Sequence, residues 1–195
     1  RILATIVLLL AAAPTVSAQD APVRVRGTIE RVEGDIYIVK ARSGVEVKVK
    51  LPDNVMVVAL TKATLADIKQ GSYVGVSGMP QPDGSQKAIR VIIFAEAMRG
   101  TGEGHRPWTR PNTTMTNATV DTTVSGVDGQ NIMVKYKDGE KKIIIGPDAV
   151  IRKYVAGDKG ELKAGAHVGI NATKQADGSL QTARVNVGRG DVIPD

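Results

Sequence analysis

The chain contains no cysteine, so disulfides, cysteine metal ligands and a cysteine lipid anchor are all excluded. Aromatic residues make up only 3% of the sequence, and there are two histidines. These scarcities disfavour a Ser-His-acid triad and the stacking surfaces that are typical of oligonucleotide-binding proteins. We therefore expect a protein that is not an enzyme and that uses no cofactor, and the composition disfavours nucleic acid as its partner.

Long apolar runs are also scarce, and the most prominent one lies near the start. Ile2 to Ala13 is apolar and is followed by Pro14 and by the small-residue end Val16-Ser17-Ala18. The run is shorter than the ~20 residues that a membrane-spanning helix needs. The pattern is typical of a secretory signal. The sequence predicts a signal peptide over residues 1–18, a periplasmic or secreted location, and no transmembrane segment after cleavage.

Basic residues exceed acidic ones, 26 to 20, for a formal net charge of +6. The lysines lie singly at alternating positions of apolar stretches, and Glu46, Lys48 and Lys50 are an example. This arrangement is typical of the solvated face of a half-buried sheet. The charge pattern therefore favours an ordinary sheet surface over a nucleic-acid-binding patch.

What the sequence has in abundance is internal repetition. Residues 27–94 and 122–188 share turn residues, at an offset of 95 up to a Pro-Asp pair and of 94 after it. Such repetition indicates one small β-domain that has been duplicated. The matching elements are Val32-Glu33-Gly34 with Val127-Asp128-Gly129, Pro52-Asp53 with Pro147-Asp148, Gly71 with Gly165, Asp83-Gly84-Ser85 with Asp177-Gly178-Ser179, and Arg90-Val91 with Arg184-Val185.

Each copy alternates apolar and polar residues with the period of a β-strand. After three such stretches, Thr64 is placed to cap a short helix over Leu65–Lys69, and a hairpin follows; the second copy has a helical turn over Leu162–Ala164. Three strands, a helix and a hairpin are the order of a five-stranded OB-type barrel. A jelly-roll or sandwich half is the rival architecture. The segment after each Pro-Asp is either an elaborated loop or an edge strand.

The predicted fold is all-β, with two tandem five- to six-stranded OB-like barrels, each with one short helix before its last hairpin. The predicted domains are repeat 1 over residues 19–94, a Gly/Pro-rich linker over 95–116, and repeat 2 over 117–195. Each repeat of about 70 residues is near the lower limit for an independent core. We therefore expect the two copies to pack on each other or to share a strand.

The turn pattern resembles that of a known group of domains. The pattern consists of a Val-(Asp/Glu)-Gly turn, a Pro-Asp segment, a Leu-Lys-x-Gly helix end and Asp-Gly-Ser before Ala-x-Arg-Val. It is similar to the pattern of exported bacterial OB-like domains of unknown function, which are often found in tandem. The resemblance covers nearly all of the chain after the signal. It implies a periplasmic β-barrel scaffold and no catalytic residues.

The segment between the repeats is the candidate functional surface, because it has no counterpart inside either copy. It is either a linker anchored by its tryptophan or a binding loop, since loops on rigid scaffolds often carry function. Two sets of candidate residues lie there. For an anion the candidates are Arg99, Arg106 and Trp108, and for a metal they are His105, Glu103, Glu96 and Met98, with Met115 beyond them.

The leading interpretation is a non-enzymatic periplasmic binding or structural module whose ligand the sequence does not name. Its partner is a protein or a small ligand of the periplasm. The first alternative is a metal-binding protein that uses the inter-repeat segment. The second is a protein that binds an anionic glycan or an oligonucleotide.

Overall fold

A computed structural model describes residues 22–126 and 129–194. The predicted signal peptide and the Val127-Asp128 part of the repeat lie outside these residues. The described part is all-β, as predicted, and its strands are β1 Val23–Glu33, β2 Ile36–Ala41, β3 Glu46–Lys50, β4 Met56–Lys62, β5 Tyr73–Pro80, β6 Gln86–Ile93, β7 Gly104–Pro107, β8 Thr114–Gly126, β9 Gly129–Tyr136, β10 Gly139–Ile145, β11 Val150–Ala156, β12 His167–Lys174, β13 Leu180–Gln181 and β14 Arg184–Gly188.

Five strands close the first barrel by pairing in a ring. β1 pairs with β2, β2 with β3, β3 with β13, β13 with β12, and β12 with β1. Alternate residues of these strands point inward, because successive side chains of a strand face opposite sides. These inward residues belong to one apolar core, to which β4, β14 and neighbouring segments also contribute. Its members include Val25, Ile29, Tyr37, Val39, Val49, Leu51, Val57, Ala59, Leu162, Val168, Ile170, Ala172, Val185 and Val187.

A second ring has the same pairing pattern and makes the second barrel. β8 pairs with β9, β9 with β10, β10 with β6, β6 with β5, and β5 with β8. Its core is a separate apolar cluster. The cluster includes Ile68, Val74, Val76, Ala88, Val91, Ala118, Val120, Ile132, Val134, Ile143, Ile145 and Ile151.

The two repeats exchange their hairpins between these barrels. The first barrel combines β1, β2 and β3 of the first repeat with β12 and β13 of the second, and the second barrel does the reverse. The prediction of one barrel per repeat is therefore not what the pairings show. The expectation that the copies share a strand is confirmed in a stronger form, since each copy completes the other's barrel.

A central sheet joins the barrels through the strands β14, β4, β11 and β6. β4 and β11 are the extended segments that follow the two Pro-Asp pairs. The prediction that they are loops or edge strands is wrong, because each is paired on both sides. Leu60 pairs with Tyr154, its equivalent 94 residues later, so a pseudo-twofold axis passes through this pair.

The first hairpin of the second repeat is longer than the first hairpin of the first repeat, and this difference shifts the position of the turn. Ile29 pairs with Val39 and Val120 pairs with Val134, so the second hairpin has four more residues between equivalent pairs. Gly34 lies in the turn after β1, whereas Gly129 is the first residue of β9. The shared glycines Gly34 and Gly129 therefore do not occupy matching positions.

The predicted short helices are single 3₁₀ turns in the structure. The first lies at Leu65–Asp67, within the predicted range, whereas the second lies at Lys159–Glu161, just before the predicted Leu162–Ala164, which is not helical; a third lies at Glu96–Met98. Thr64 is extended and precedes the first turn, as the cap prediction requires, and Gly71 adopts the left-handed conformation with φ 82°. None of the helical elements found in residues 22–126 and 129–194 is of a length and hydropathy to cross a lipid bilayer.

The first 3₁₀ turn is tied to the central sheet by Asp67. The backbone N–H and the hydroxyl of Thr64 both donate to Asp67 Oδ2, at 2.8 and 3.0 Å, and Lys153 Nζ of β11 donates to Oδ1 at 3.1 Å. These contacts favour the carboxylate form, so they lower the pKa of Asp67 to about 2, with the Thr64 N–H as the largest cause. The carboxylate therefore stabilises the fold only while it is ionised.

We expect the stabilisation by Asp67 to be lost between the unfolded pKa, near 4, and the folded pKa of about 2. The pKa is depressed in the folded state, so the contribution is present above this window and disappears as the pH falls through it. Carboxyl NMR titration should give a midpoint near 2. Asp67→Asn should destabilise the protein at pH 7 but not below the window. Equal destabilisation on both sides of the window would contradict this assignment.

Candidate functional site

The predicted anion-binding residues of the inter-repeat segment bind other parts of the chain. Arg99 forms a two-point ion pair with Glu96, with Nε–Oε1 at 2.6 Å and Nη2–Oε2 at 2.7 Å. It also donates to the carbonyl of Gly71 at 2.9 Å and lies over the ring of Tyr73, 6.0 Å from the centroid. The guanidinium of Arg99 thus fastens the segment to the second barrel.

Arg106 and Trp108 come together as the anion prediction required, but without Arg99. The guanidinium carbon of Arg106 is 5.7 Å from the Trp108 ring centroid, and Arg106 Nη1 donates to the carbonyl of Gly102 at 2.8 Å. Trp108 keeps 37% of its surface exposed. The pair is therefore a surface stack whose arginine already has an acceptor within the segment.

The predicted metal ligands each have a different partner. Glu96 is bound to Arg99, Oε1 of Glu103 accepts the backbone N–H of Lys137 at 3.0 Å, and Met98 is buried. Within the part of the chain that the structure describes, no three His, Asp or Glu side chains come together. The structure therefore does not assemble these residues into a metal centre.

His105 is held by a buried chain of polar groups. Its Nδ1 lies 2.7 Å from Thr116 Oγ1, and that hydroxyl donates to Gln86 Oε1 at 2.7 Å. Since a threonine hydroxyl has a single hydrogen, Nδ1 of His105 must be the donor in the first contact. Burial lowers the pKa of His105, and the charge of Lys141 lowers it further. The imidazole is therefore favoured in its neutral Nδ1–H form.

His167 occupies the position in the first barrel that Tyr73 occupies in the second. Thr28 pairs with His167, and Thr119 pairs with Tyr73 in the same register. Nδ1 of His167 lies 3.0 Å from the Thr28 hydroxyl. The residue is thus part of a cross-strand polar pair.

The strongest concentration of charge lies elsewhere, on the outer side of the central sheet. Arg184 of β14, Arg152 of β11 and Arg90 of β6 alternate with residues that point into the cores, so they face outward. Two arginines of β1 and two from neighbouring loops extend this surface. We call it the arginine face; its members are Arg24, Arg26, Arg42, Arg90, Arg110, Arg152 and Arg184.

The first-barrel arginines are positioned by the pairing of β1 with β12. Arg24 and Arg26 flank the core residue Val25 and stand opposite Asn171 and Gly169. Arg26 Nη1 donates to the carbonyl of Ile170 at 3.2 Å, which directs its guanidinium toward β12. Gly169 leaves the space beside Arg26 free of a side chain.

Arg42 and Arg110 approach this surface from two loops. The backbone N–H of Arg42 donates to the carbonyl of Arg26 at 2.8 Å, and its guanidinium donates to the carbonyl of Pro194 at 3.0 Å. Arg110 lies in the loop between β7 and β8, where its carbonyl accepts the hydroxyl of Thr113 at 2.7 Å. Arg42 belongs to the first barrel, and the loop of Arg110 leads into the second.

Tyr154 lies among these arginines at the pseudo-twofold axis. The guanidinium carbon of Arg184 is 5.5 Å from its ring centroid, and the ring of Phe94 lies 5.6 Å away at an interplanar angle of 54°. Burial raises the pKa of Tyr154, while the positive charges of Arg184, Arg26 and Arg90 oppose that rise. The hydroxyl therefore stays neutral in a strongly positive environment.

The positive charges of neighbouring arginines also lower one another's pKa values. Burial lowers the pKa of Arg26, and Arg24 and Arg42 lower it further. Burial likewise lowers the pKa of Arg90, followed by the charges of Arg152, Arg110 and Arg42. Within residues 22–126 and 129–194, no carboxylate contributes to the shift of Arg26. Like charges this close repel one another, so an anion bound among them would lower that repulsion.

Among the described residues, an acidic side chain lies at the rim of the arginine face. Asp191 is ion-paired with Lys62, with Nζ–Oδ2 at 2.7 Å, and this contact is the largest cause of its lowered pKa; Arg152 contributes less. Exposed apolar side chains flank the arginines. Met56 is 56% exposed and Val150 is 37% exposed, and they occupy equivalent positions in β4 and β11.

Sequence reasoning missed the arginine face, although one signal pointed to it. Arg90 and Arg184 are among the residues that the repeats share, and they were interpreted as scaffold. Unlike the shared glycines, neither residue is a turn former, so retention of an arginine at an outward strand position could have marked them.

Comparison with known proteins gives no independent assignment. No family model, no curated protein and no solved structure matches this chain. The functional argument therefore depends on the geometry of the described residues.

Proposed function

We propose that this chain is an exported, non-enzymatic binding module, built from two OB-like barrels, that binds an anionic ligand on the arginine face. The order of three strands, a 3₁₀ turn and a hairpin, with a parallel contact that closes each ring, supports the OB-like assignment. The resemblance to exported domains and the signal-like start support export.

The observation that carries the binding proposal is the arginine cluster itself. Guanidinium groups donate in a planar fork that matches carboxylate, phosphate and sulfate oxygens, and they remain charged when partly buried. Arg26 is half-buried, and the charges of Arg24 and Arg42 act on it. A surface that needs only solubility has no reason to hold like charges together at a stability cost.

Retention on immobilised heparin, a sulfated polyanion, tests the proposal. We expect the chain from residue 19 to elute at high salt. Replacement of three exposed arginines of the face, Arg24→Gln, Arg42→Gln and Arg110→Gln together, should lower the elution salt markedly. If each contact behaves as in single-stranded nucleic acids, the slope of log K against log salt should fall by about 2, at roughly 0.7 per contact.

The matched control removes the same charge from elsewhere. Arg31→Gln, Lys48→Gln and Lys69→Gln together alter three exposed residues outside the arginine face. This variant should elute close to the unaltered chain. Equal losses in both triple variants would mean that heparin responds to net charge, and the proposed site would be rejected.

A further inference from the structure

We infer that the ligand of the arginine face is a linear polymer of phosphate groups, without bases, that lies across both barrels at once. This inference rests on the proposed function and adds the length and the chemistry of the ligand. Two observations support it: the arginines are spread over both barrels, and the aromatic rings near them already have neighbours packed against them.

The arginine face extends across both barrels. Arg90 stands opposite Val150, four residues before Tyr154, and Arg184 stands opposite Met56, four residues before Leu60. Since β4 and β11 are antiparallel, the two arginines lie on opposite sides of the pseudo-twofold axis. Strand geometry places their backbones roughly 25–30 Å apart. One phosphate can engage two or three guanidinium groups, and only a chain of charges can engage the whole face.

The arginines nevertheless form one continuous field, which favours one ligand over two separate anions. Arg42 of the first barrel donates its backbone N–H to the carbonyl of Arg26, and its positive charge lowers the pKa of both Arg26 and Arg90. Arg110 of the second barrel acts on Arg90 as well. The Tyr154 ring lies 5.5 Å from the guanidinium carbon of Arg184, and the charges of Arg26 and Arg90 also oppose the rise that burial causes in the pKa of its hydroxyl. A flexible polyanion could therefore pass from one barrel to the other without leaving the positive surface.

The strand exchange fixes the spacing of these charges. Each barrel contains strands of both repeats, so the barrels cannot move apart as two domains on a linker could. A preorganised row of cations loses little entropy when a polymer docks on it, and each further contact benefits from the high effective concentration of a tethered neighbour.

The chemistry of the face favours phosphate over an oligonucleotide. Proteins that bind single strands need aromatic platforms for the bases. The Tyr154 ring already has Phe94 and Arg184 as neighbours, and Arg106 lies over Trp108. The donor forks of the arginines suit the several oxygens of a phosphate group. The face therefore offers many anion contacts and little stacking surface.

The test is isothermal titration of the chain from residue 19 with inorganic phosphate polymers of increasing length. We compare tripolyphosphate with a polyphosphate longer than the arginine face, at equal phosphate concentration. The long chain should bind at least about tenfold more tightly, because it reaches arginines of both barrels. Polyglutamate and a single-stranded oligonucleotide, each matched in charge to the long polyphosphate, complete the series and should bind more weakly.

Variants on either side of the axis test whether the site is continuous. Arg24→Gln with Arg42→Gln on the first barrel, and Arg110→Gln on the second, should each weaken binding of the long chain several-fold and leave tripolyphosphate little changed. The control is Arg31→Gln with Lys48→Gln, which should bind all ligands as the unaltered chain does. Reduced affinity for the long chain in only one of the two variants would overturn the two-barrel site.

The remaining outcomes separate this inference from the proposed function. If tripolyphosphate binds as tightly as the long chain, the linear ligand is wrong. If heparin or polyglutamate binds and polyphosphate does not, the phosphate assignment fails while anion binding stands. Tighter binding of the oligonucleotide than of polyphosphate would contradict the inference that the ligand has no bases. If no polyanion binds, both the inference and the proposed function are rejected.

Discussion

Division of the chain into residues 22–102 and 103–194 should yield two halves that do not fold alone but fold on mixing. The cut lies between the repeats, and each half then carries three strands of one barrel and the hairpin of the other. Each half alone lacks the strands that close its barrels and exposes the core residues that those strands cover. We expect a 1:1 complex with the circular dichroism spectrum of the intact chain.

The size of the effect follows from how the cores are divided. In the first barrel, Val25, Ile29 and Val39 of the first repeat pack with Val168 and Ile170 of the second. Burial of one such side chain contributes about 1.5–3 kcal/mol. Loss of a hairpin removes several of these side chains at once, and the summed loss is comparable to the 5–15 kcal/mol that typically stabilises a domain.

Sedimentation and urea unfolding distinguish the outcomes. Each half alone should be unfolded or self-associated, since a homodimer of one half would be the same exchange made between molecules. A monomeric 22–102 fragment that unfolds cooperatively near the urea midpoint of the intact chain would contradict the exchange. Such a result would restore the arrangement of one barrel per repeat.

Replacement of Gly27 by alanine should remove about 3 kcal/mol from the free energy of unfolding. Gly27 lies in β1 between Ala41 of β2 and Val168 of β12. A Cβ atom added there would overlap the backbone carbonyl of Lys40, which cannot turn aside as a flexible side chain could. The strand would have to move out of register with both neighbours, so the first barrel would be strained where the two repeats meet.

Gly146 provides the matched control for this substitution. It precedes the second Pro-Asp pair, its φ is not in the left-handed region, and an added Cβ would meet nothing within 4 Å. Gly146→Ala should leave the free energy of unfolding unchanged or raise it by about 0.5 kcal/mol, because alanine restricts the unfolded chain. Urea unfolding of both variants checks the pair. A Gly27→Ala variant within 0.5 kcal/mol of the parent would show that β1 adjusts freely.

Much of the local structure could be predicted from the sequence. Alternation of apolar and charged residues marks β3, where Glu46, Lys48 and Lys50 are exposed and Val49 is buried. Pro52 follows the end of that strand, and Gly71 takes a left-handed conformation before β5, although the 3₁₀ turn already ends at Ile68. These features depend on neighbours within a few residues, so local physical rules are sufficient to find them.

The candidate site could be predicted only in part. The sequence directed attention to Arg106 and Trp108, which do stack, and to Arg99, which the structure shows bonded to Glu96 and Gly71. The arginine face escaped notice because its members are spread from residue 24 to residue 184. Each arginine is an isolated outward position in its own strand or loop. Only the register of β14, β4, β11 and β6 brings the strand members to one surface.

The sequence by itself determined that this protein is an all-β duplication, where its strands and turns lie, and which side chains point inward. The tertiary structure alone decided which hairpin closes which barrel. The two hairpins carry the same alternating pattern, so either could satisfy the period-two requirement of either barrel. The choice depends on the paired path of β4 and β11 through the pseudo-twofold axis, a long-range contact that no local pattern encodes. That choice also fixes the relative positions of the arginines on the central sheet.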